Sequence, residues 1–503
     1  MSTQTMDPKP DVRVRAIPVR DQTRAPVSWP VIAVKELREL MVTGRFQAAA
    51  ALVFLLIAVT LGIMARSHAR ALEDYGIAES TRVESLREHG HLNRITAWEA
   101  QDPPNPLSVL VSGIAANGRL GFFDNDALAV AYPPADLIMI VGIVLSLVAL
   151  LFAHDGFTGE RERGTLRLLV SGAASRGSIL TGKLVGRYAA LLVPLLGGLL
   201  AGALALVLSP DIGWGATETV AFVALVGISM LFLAVFVALG LLVSAWSRTT
   251  HGSLGLALSA WGVLILIVPS LAPYAAAAVA PTDNPALHRL ELRTIMNEER
   301  DALALQLQRE WTAPVLSRHP EIRDYYQLPD DRRAAALAAD PGLAASVERY
   351  QAVSDSATME ANDRMRAKEA RVREAFDSRL QAQVRLTERV ASLSPYSALV
   401  LASLELTETG PRAKRRRDDQ YNTWHDATLR PWMQTKMEEL RQEDPTIGWN
   451  TRAEITGVPW FHYESEPVGD RVAATLPEVG ALTGFGVLFL LLGFVGFRRY
   501  DVR

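Results

Sequence analysis

The chain has 503 residues, 49% of them hydrophobic, with a net charge of only −3 and no cysteine. Disulfides and thiolate metal sites are therefore excluded, and nothing in the charge balance points to a nucleic-acid partner. The averages hide a segregation: runs of about 20 residues are almost free of charge, the length a helix needs to cross a bilayer core.

Residues 1–29 read as a disordered segment and residues 30–45 as an amphipathic helix, in which Val34, Leu37 and Met41 share one apolar face. Six apolar runs follow: Phe46–Met64, Asp136–Ala153, Tyr188–Leu208, Val220–Trp246, Ser253–Val279 and Pro477–Phe497. The first begins after 45 residues and has no convincing small-residue cleavage site before Arg66, so it reads as a span and not as a signal peptide. A buried soluble-core helix explains any one such run; six in one chain predict an all-α polytopic membrane protein.

Basic residues fix the expected topology. Lys9 to Arg45 precede the first span, Arg161, Arg163, Arg167, Arg176, Lys183 and Arg187 lie between spans two and three, and Arg498, Arg499 and Arg503 close the chain. The positive-inside rule puts all three segments, and both termini, in the cytoplasm. Residues 46–279 then carry spans one to five, with an outer loop at 65–135 and an inner loop at 154–187. Residues 280–476 form a large outer domain, and 477–503 the sixth span and tail. The outer cluster Lys414-Arg415-Arg416-Arg417 carries little weight against this, because long loops translocate largely regardless of charge.

The outer segment reads as helical. Leu343, Val347, Tyr350, Val372, Phe376, Leu380 and Val384 recur at spacings of three to four, and Pro320, Pro329 and Pro341 punctuate the stretches. A helical hairpin or stalk is expected over this region. It serves either as a docking or substrate-guiding device or as a solvated brace. Trp424, Trp432, Trp449, Trp460, Phe461 and Tyr463 belong either at the membrane interface or, for those far from Pro477, in a small core of this domain.

The most informative stretch is the inner loop, Glu160-Arg-Glu-Arg-Gly-Thr-Leu166 followed by Ser175-Arg176 and Gly182-Lys183. It closely resembles the first cytoplasmic loop of ABC type-2 permeases: roughly E-x-E-x-G-T-L, a short helix, S-R, then G-K leading into span three. Lys35-Glu36-Leu37-Arg38-Glu39 is similar to that family's connecting helix, and the closing Arg498–Arg503 is likewise typical. Asn105-Pro106-Leu107 and Ser394-Pro395-Tyr396 resemble a large-loop subfamily related to permeases implicated in nitrous oxide reductase maturation and gliding motility. Ala173 departs from the pattern, since many members have proline there.

The resemblance implies a permease in the bacterial inner membrane. It would pair with a second copy or a sister permease and with two copies of an ABC ATPase, which bind the ATP and magnesium. It also implies export more than uptake. Glu160, Arg161, Glu162, Gly164, Thr165, Arg167, Ser175 and Arg176, with Lys35 and Glu36, are the expected ATPase-coupling residues. Glu160 and Glu162 would face basic residues of the ATPase and the arginines acidic ones, with Gly164-Thr165 allowing the chain to turn. Ordinary positive-inside decoration of a loop is the plainer alternative.

Gly177-Ser-Ile-Leu-Thr-Gly182-Lys183 fits the front of a phosphate-binding loop, but Leu184 stands where Ser or Thr is needed and no strand precedes it. No motif of hydrolytic chemistry is present. His89, His91 and His462 read as scattered exposed histidines, not metal ligands. No Asp, Glu, Lys or Arg lies near the middle of a proposed span, which disfavours ion-coupled transport. Gly198 with Gly202, and Gly480 with Gly484, have the spacing that lets helices approach closely. The main rival function is a mechanotransmitter, in which ATP moves the outer stalk against a partner bound to residues 280–476 and nothing crosses the membrane.

Overall fold

Long apolar helices dominate the computed structural model, which describes residues 28–90, 102–112, 135–171, 174–207, 213–309, 313–318, 320–443, 447 and 454–499. Among these residues there is no strand. Six helices are long and apolar enough to cross a bilayer: Gly44–Arg87, Leu137–Glu162, Arg176–Leu204, Ala216–Trp246, Thr250–Val279 and Leu476–Arg498. Each covers most or all of one of the six apolar runs, and the chain is a multi-pass membrane protein.

We label the elements in chain order. α1 is Trp29–Met41, α2 Gly44–His89, and α3 residues 137–153. α4 (Thr158–Glu162) and α5 (Thr165–Ser171) form the loop after span two, and α6 is Arg176–Val207. α7 is Ala216–Trp246 and α8 Thr250–Val279. The stalk contains α9 (Pro285–Leu307), α10 (Pro341–Ala391), α11 (Pro395–Leu406), α12 (Pro411–Trp424) and α13 (Arg430–Glu443). α14, Leu476–Arg498, is the sixth span.

Two helices are far longer than a membrane is thick. α2 has 46 residues and α10 has 51, about 69 and 77 Å at 1.5 Å per residue. α2 does not stop where its apolar run ends at Met64, because Ala65–His89 is rich in Ala, Arg, Glu and Leu, all good helix formers. The first part of the expected loop at 65–135 is therefore helix. At its far end Leu86 joins Leu429, Met433, Met437, Leu440 and Ile455 in a small core, with Trp424, Trp432 and Trp460 packed against it. These tryptophans thus serve the stalk's own core; Trp449 lies outside the described residues, as do residues 1–27, His91 and Ala173.

α9 and α10 form the expected hairpin. His288 stacks on Phe376 at 4.1 Å, and Glu299 accepts from Lys368 at 2.5 Å and Arg364 at 3.3 Å. Those carboxylate contacts hold Glu299 below the ordinary carboxylate range, the Lys368 hydrogen bond first among them.

α11 departs from a purely external domain. Its Ala398, Leu399, Ala402 and Leu406 belong to the core that the spans share, and its start is locked into two of them. In α8 a π turn, Val263–Ile267, sends the Val268 N–H to Val263 O. The next residue, Pro269, has no N–H to offer, so the Leu264 carbonyl is left for the Ser394 hydroxyl, which donates to it. Span two carries a matching π turn, Ile140–Leu145, where a Cβ on Gly142 would lie within 2.7 Å of two Tyr396 ring carbons. Ser394-Pro395-Tyr396 is thus the tip of a helical hairpin, α10–α11, wedged between spans two and five.

The stalk base is bound by charge. Glu408, in the left-handed region at φ 51°, accepts from Glu466 N at 2.8 Å and the Tyr463 hydroxyl at 3.2 Å. It also meets Arg471 at 3.3 Å and Arg416 at 3.5 Å. Backbone strain of this kind persists only where the surroundings over-determine it, and four partners do so here.

Of the two small-residue pairs, Gly198 and Gly202 admit Ile57 and Leu61 of α2, whereas Gly480 and Gly484 face open space. A methyl group at Gly142 has no room beside Tyr396, so Gly142→Ala is expected to destabilise the protein by about 1–3 kcal/mol. Gly480→Ala is expected to hold level or gain up to about 1 kcal/mol. Thermal unfolding in detergent checks both.

Candidate coupling site

The site grows from the approach of α1 to α6. A Cβ on Gly182 would lie 2.6 Å from Ile32 Cβ, and one on Gly186 would lie 2.5 Å from Ala33 O. Only glycine at both positions lets the two backbones come this close. The face of α1 that meets α6 carries Ile32, Ala33 and Glu36, all buried. Val34 and Met41 stay exposed and Leu37 is half-buried, so the apolar stripe read from sequence flanks the packed face, where an interfacial helix meets lipid.

Close packing buries charge. Glu36 is 3% exposed and Lys183 wholly buried, and the Lys183 ammonium lies 2.6 Å from Glu36 Oε1 and 2.8 Å from Glu160 Oε1. Arg187 donates through Nε to Glu36 Oε2 at 3.0 Å, reaches Asp155 Oδ1 at 2.6 Å, and bonds the Phe152 carbonyl. Lys35 stands 4.0 Å from Glu160 on the exposed side. Burial pushes the Glu36 carboxyl up, but Lys183 and Arg187 outweigh it and hold the group below the ordinary carboxylate range.

The remaining motif residues tie the loop to its neighbours. Glu162 accepts from Thr250 N at 2.7 Å and Thr250 Oγ1 at 2.8 Å, and Arg161 donates to the Ser247 carbonyl. Ser244 Oγ accepts from Phe157 N at 2.9 Å, and the Ser253 hydroxyl donates to His154 O at 2.6 Å. The loop is therefore fixed to the turn between spans four and five. Ser175 Oγ accepts from Ser178 N at 3.0 Å and so caps α6. Arg176 donates to the Arg498 carbonyl at the end of span six.

Glu36, Glu160, Arg161, Glu162, Ser175 and Arg176 thus each have a partner within the subunit, while Glu162 and Ser175 remain exposed. Gly164 turns the chain at φ 74° with open space where a Cβ would stand, Thr165 donates to Glu160 O at 3.3 Å, and Leu166 anchors α5 in the core. What projects is Arg163, Gly164, Thr165, Arg167 and Leu168, the last 74% exposed. The phosphate-loop-like stretch is helical from Arg176 onward, and its lysine is the buried ion-pair partner described above. Sequence reading assigned Lys183 and Arg187 to positive-inside charge and missed their burial. The signal was available in Gly182 and Gly186, four residues apart and facing an acidic residue on α1.

A family profile described as ABC-2 family transporter protein matches residues 30–502. The chain belongs to that family. It is 35% identical over 156 residues to the probable ABC transporter permease protein NosY of Pseudomonas aeruginosa, and 34% identical over 161 residues to that of Stutzerimonas stutzeri. Each match covers 31% of this chain, and the chain spans about half, 54%, of the length of these relatives.

Removing Lys183 would leave Glu160 with only the distant Lys35 and the buried Glu36 with Arg187 alone, so Lys183→Met is expected to cost about 3 kcal/mol. Because the folded Glu36 titrates below its unfolded value, its stabilisation is complete above the unfolded carboxylate pKa of about 4.3 and fades as pH falls through the lower folded value. Glu36→Gln should therefore melt well below the parent protein at pH 7, and the gap should shrink under about pH 4. Differential scanning fluorimetry across pH reads this directly.

Proposed function

We propose that this subunit converts closure of a separate ABC ATPase dimer into movement of its spans, and that it exports a substrate. The observation that carries the reading is the exposed tip Arg163–Leu168, held rigid where α1, α6, the α7–α8 turn and the end of α14 meet. A push on such a tip reaches all of them without being lost in a flexible joint. The arginines Arg163 and Arg167 suit acidic residues around a groove of the ATPase, and Leu168 suits an apolar floor. Family membership supports the ATPase partner, since these relatives carry names of ABC transporter permeases.

In this reading the end bearing α1, the tip and the chain's tail is cytoplasmic, and the stalk is extracytoplasmic. A second permease copy covers part of the exposed span surface. ATP and magnesium belong to the ATPase, because the one lysine resembling a phosphate ligand is already bound to two carboxylates.

A second reading has its own support. α2 continues unbroken from the bilayer into the stalk, so any tilt of span one also swings the core around Leu86. ATP-driven motion of the stalk against an extracytoplasmic partner uses the same lever. A structure of the paired subunits separates the two: a continuous cavity between them favours transport, whereas a sealed seam in every nucleotide state with a partner bound to residues 280–476 favours stalk-driven work.

The triple change Arg163→Glu, Arg167→Glu, Leu168→Asp tests the docking tip. Surface substitutions of this kind should shift stability by less than about 0.5 kcal/mol. Co-purification with the ATPase should nevertheless weaken at least tenfold, about 1.4 kcal/mol. Unchanged ATPase binding and coupled ATPase activity would sink the assignment.

A further inference from the structure

The last three turns of α10 run down the stalk-side half of span five. Thr282, just beyond α8, bonds Gln383 at 3.1 Å, and Ser394 reaches Leu264, the fifteenth residue of the 30 in α8. Residues 385–392 lie between these two levels, inside the apolar reach of span five. Val384, Leu386, Val390 and Ala391 are half-buried, whereas Gln381, Arg385, Glu388, Arg389 and Ser392 are exposed along one face. Arg385, Glu388 and Arg389 make no ion pair with the described residues.

Charges at this depth are costly against hydrocarbon and are found facing water-filled cavities or protein. A second cluster lies where α11 packs on span six. Glu478, in the first turn of span six, lies within electrostatic reach of Glu388, Glu405 and Arg412, and one of its carboxylate oxygens is buried with no hydrogen-bond partner. Glu405 pairs with Arg412 at 3.1 Å.

We propose that Arg385, Glu388 and Arg389, with Glu405, Arg412 and Glu478, line an aqueous vestibule that enters the membrane from the stalk side and ends at the hairpin tip near Ser392. Its lining has three arginines and three carboxylates, so it admits polar solutes without selecting one sign of charge. The stripe is closed off from lipid by a second permease copy. The inference rests on the membrane spans and on the stalk side being extracytoplasmic, not on the identity of the ATPase.

The cysteine-free sequence makes the test simple. Single Arg389→Cys, Ser392→Cys and Leu266→Cys variants of the full chain, in the assembled complex in sealed membranes, are treated from the stalk side with a membrane-impermeant thiosulfonate. Leu266, 49% exposed on span five at the same depth, is the lipid-facing reference. Labelling at 389 and 392 should outpace that at 266 by at least about tenfold, since only the water-exposed thiolate reacts. Equal protection at all three positions would overturn the vestibule. Labelling after denaturation confirms that each thiol is present, and Ser392→Cys, close in size to the native residue, keeps the test valid where Arg389→Cys misfolds. ATPase co-purification, measured on the same samples, separates failure of the vestibule from failure of the coupling account.

Discussion

The ion pair between Lys183 and Glu36 is the constraint on which the end of the molecule bearing α1 depends. Lys183 has no exposed surface, so its charge is tolerable only while Glu36 and Glu160 remain in place. That requirement forces α1 onto α6, which in turn demands glycine at 182 and 186. It also draws the loop carrying Glu160 against the bundle. Three segments distant in sequence are thereby held in one arrangement by a few buried oxygens and nitrogens.

Such a network stores specificity more than stability. A hydrophobic replacement of similar volume often packs as well, but it slides, whereas carboxylates with two fixed partners each do not. For the proposed passage of force from a surface tip to several helices, resistance to sliding is the useful property. The stalk base repeats the device: Glu408 accepts strained backbone to meet Arg471, Arg416 and Tyr463. The hairpin tip at Ser394 fills the carbonyl that Pro269 leaves open.

Much of this was legible in the residues. Six charge-free runs gave the spans because a bilayer allows little else, and the Glu160–Lys183 pattern marked the loop that matters. The role within the loop was not legible, because a charged residue near a membrane face looks alike whether it points to a partner or to its own bundle. Only the packing of α1 on α6 shows that Glu160 turns toward Lys183 while Arg163 and Arg167 stay outward. The length of α2 was hidden because polarity ended the apolar run at Met64 without ending the helix. Arg385, Glu388 and Arg389 were not legible as proposed membrane-depth charges, since they sit on a stalk helix that is not itself a span.

The account's central claim is that the tip moves as one body with α1 and α6. A structure of the complex of this permease with its ATPase, trapped with a non-hydrolysed nucleotide, tests it most directly. The account predicts the ATPase seated on Arg163–Leu168, with the Glu36–Lys183–Glu160 contacts unbroken and α1 shifted together with α6. An ATPase seated elsewhere, or a Lys183 ammonium pulled away from both carboxylates, would contradict it.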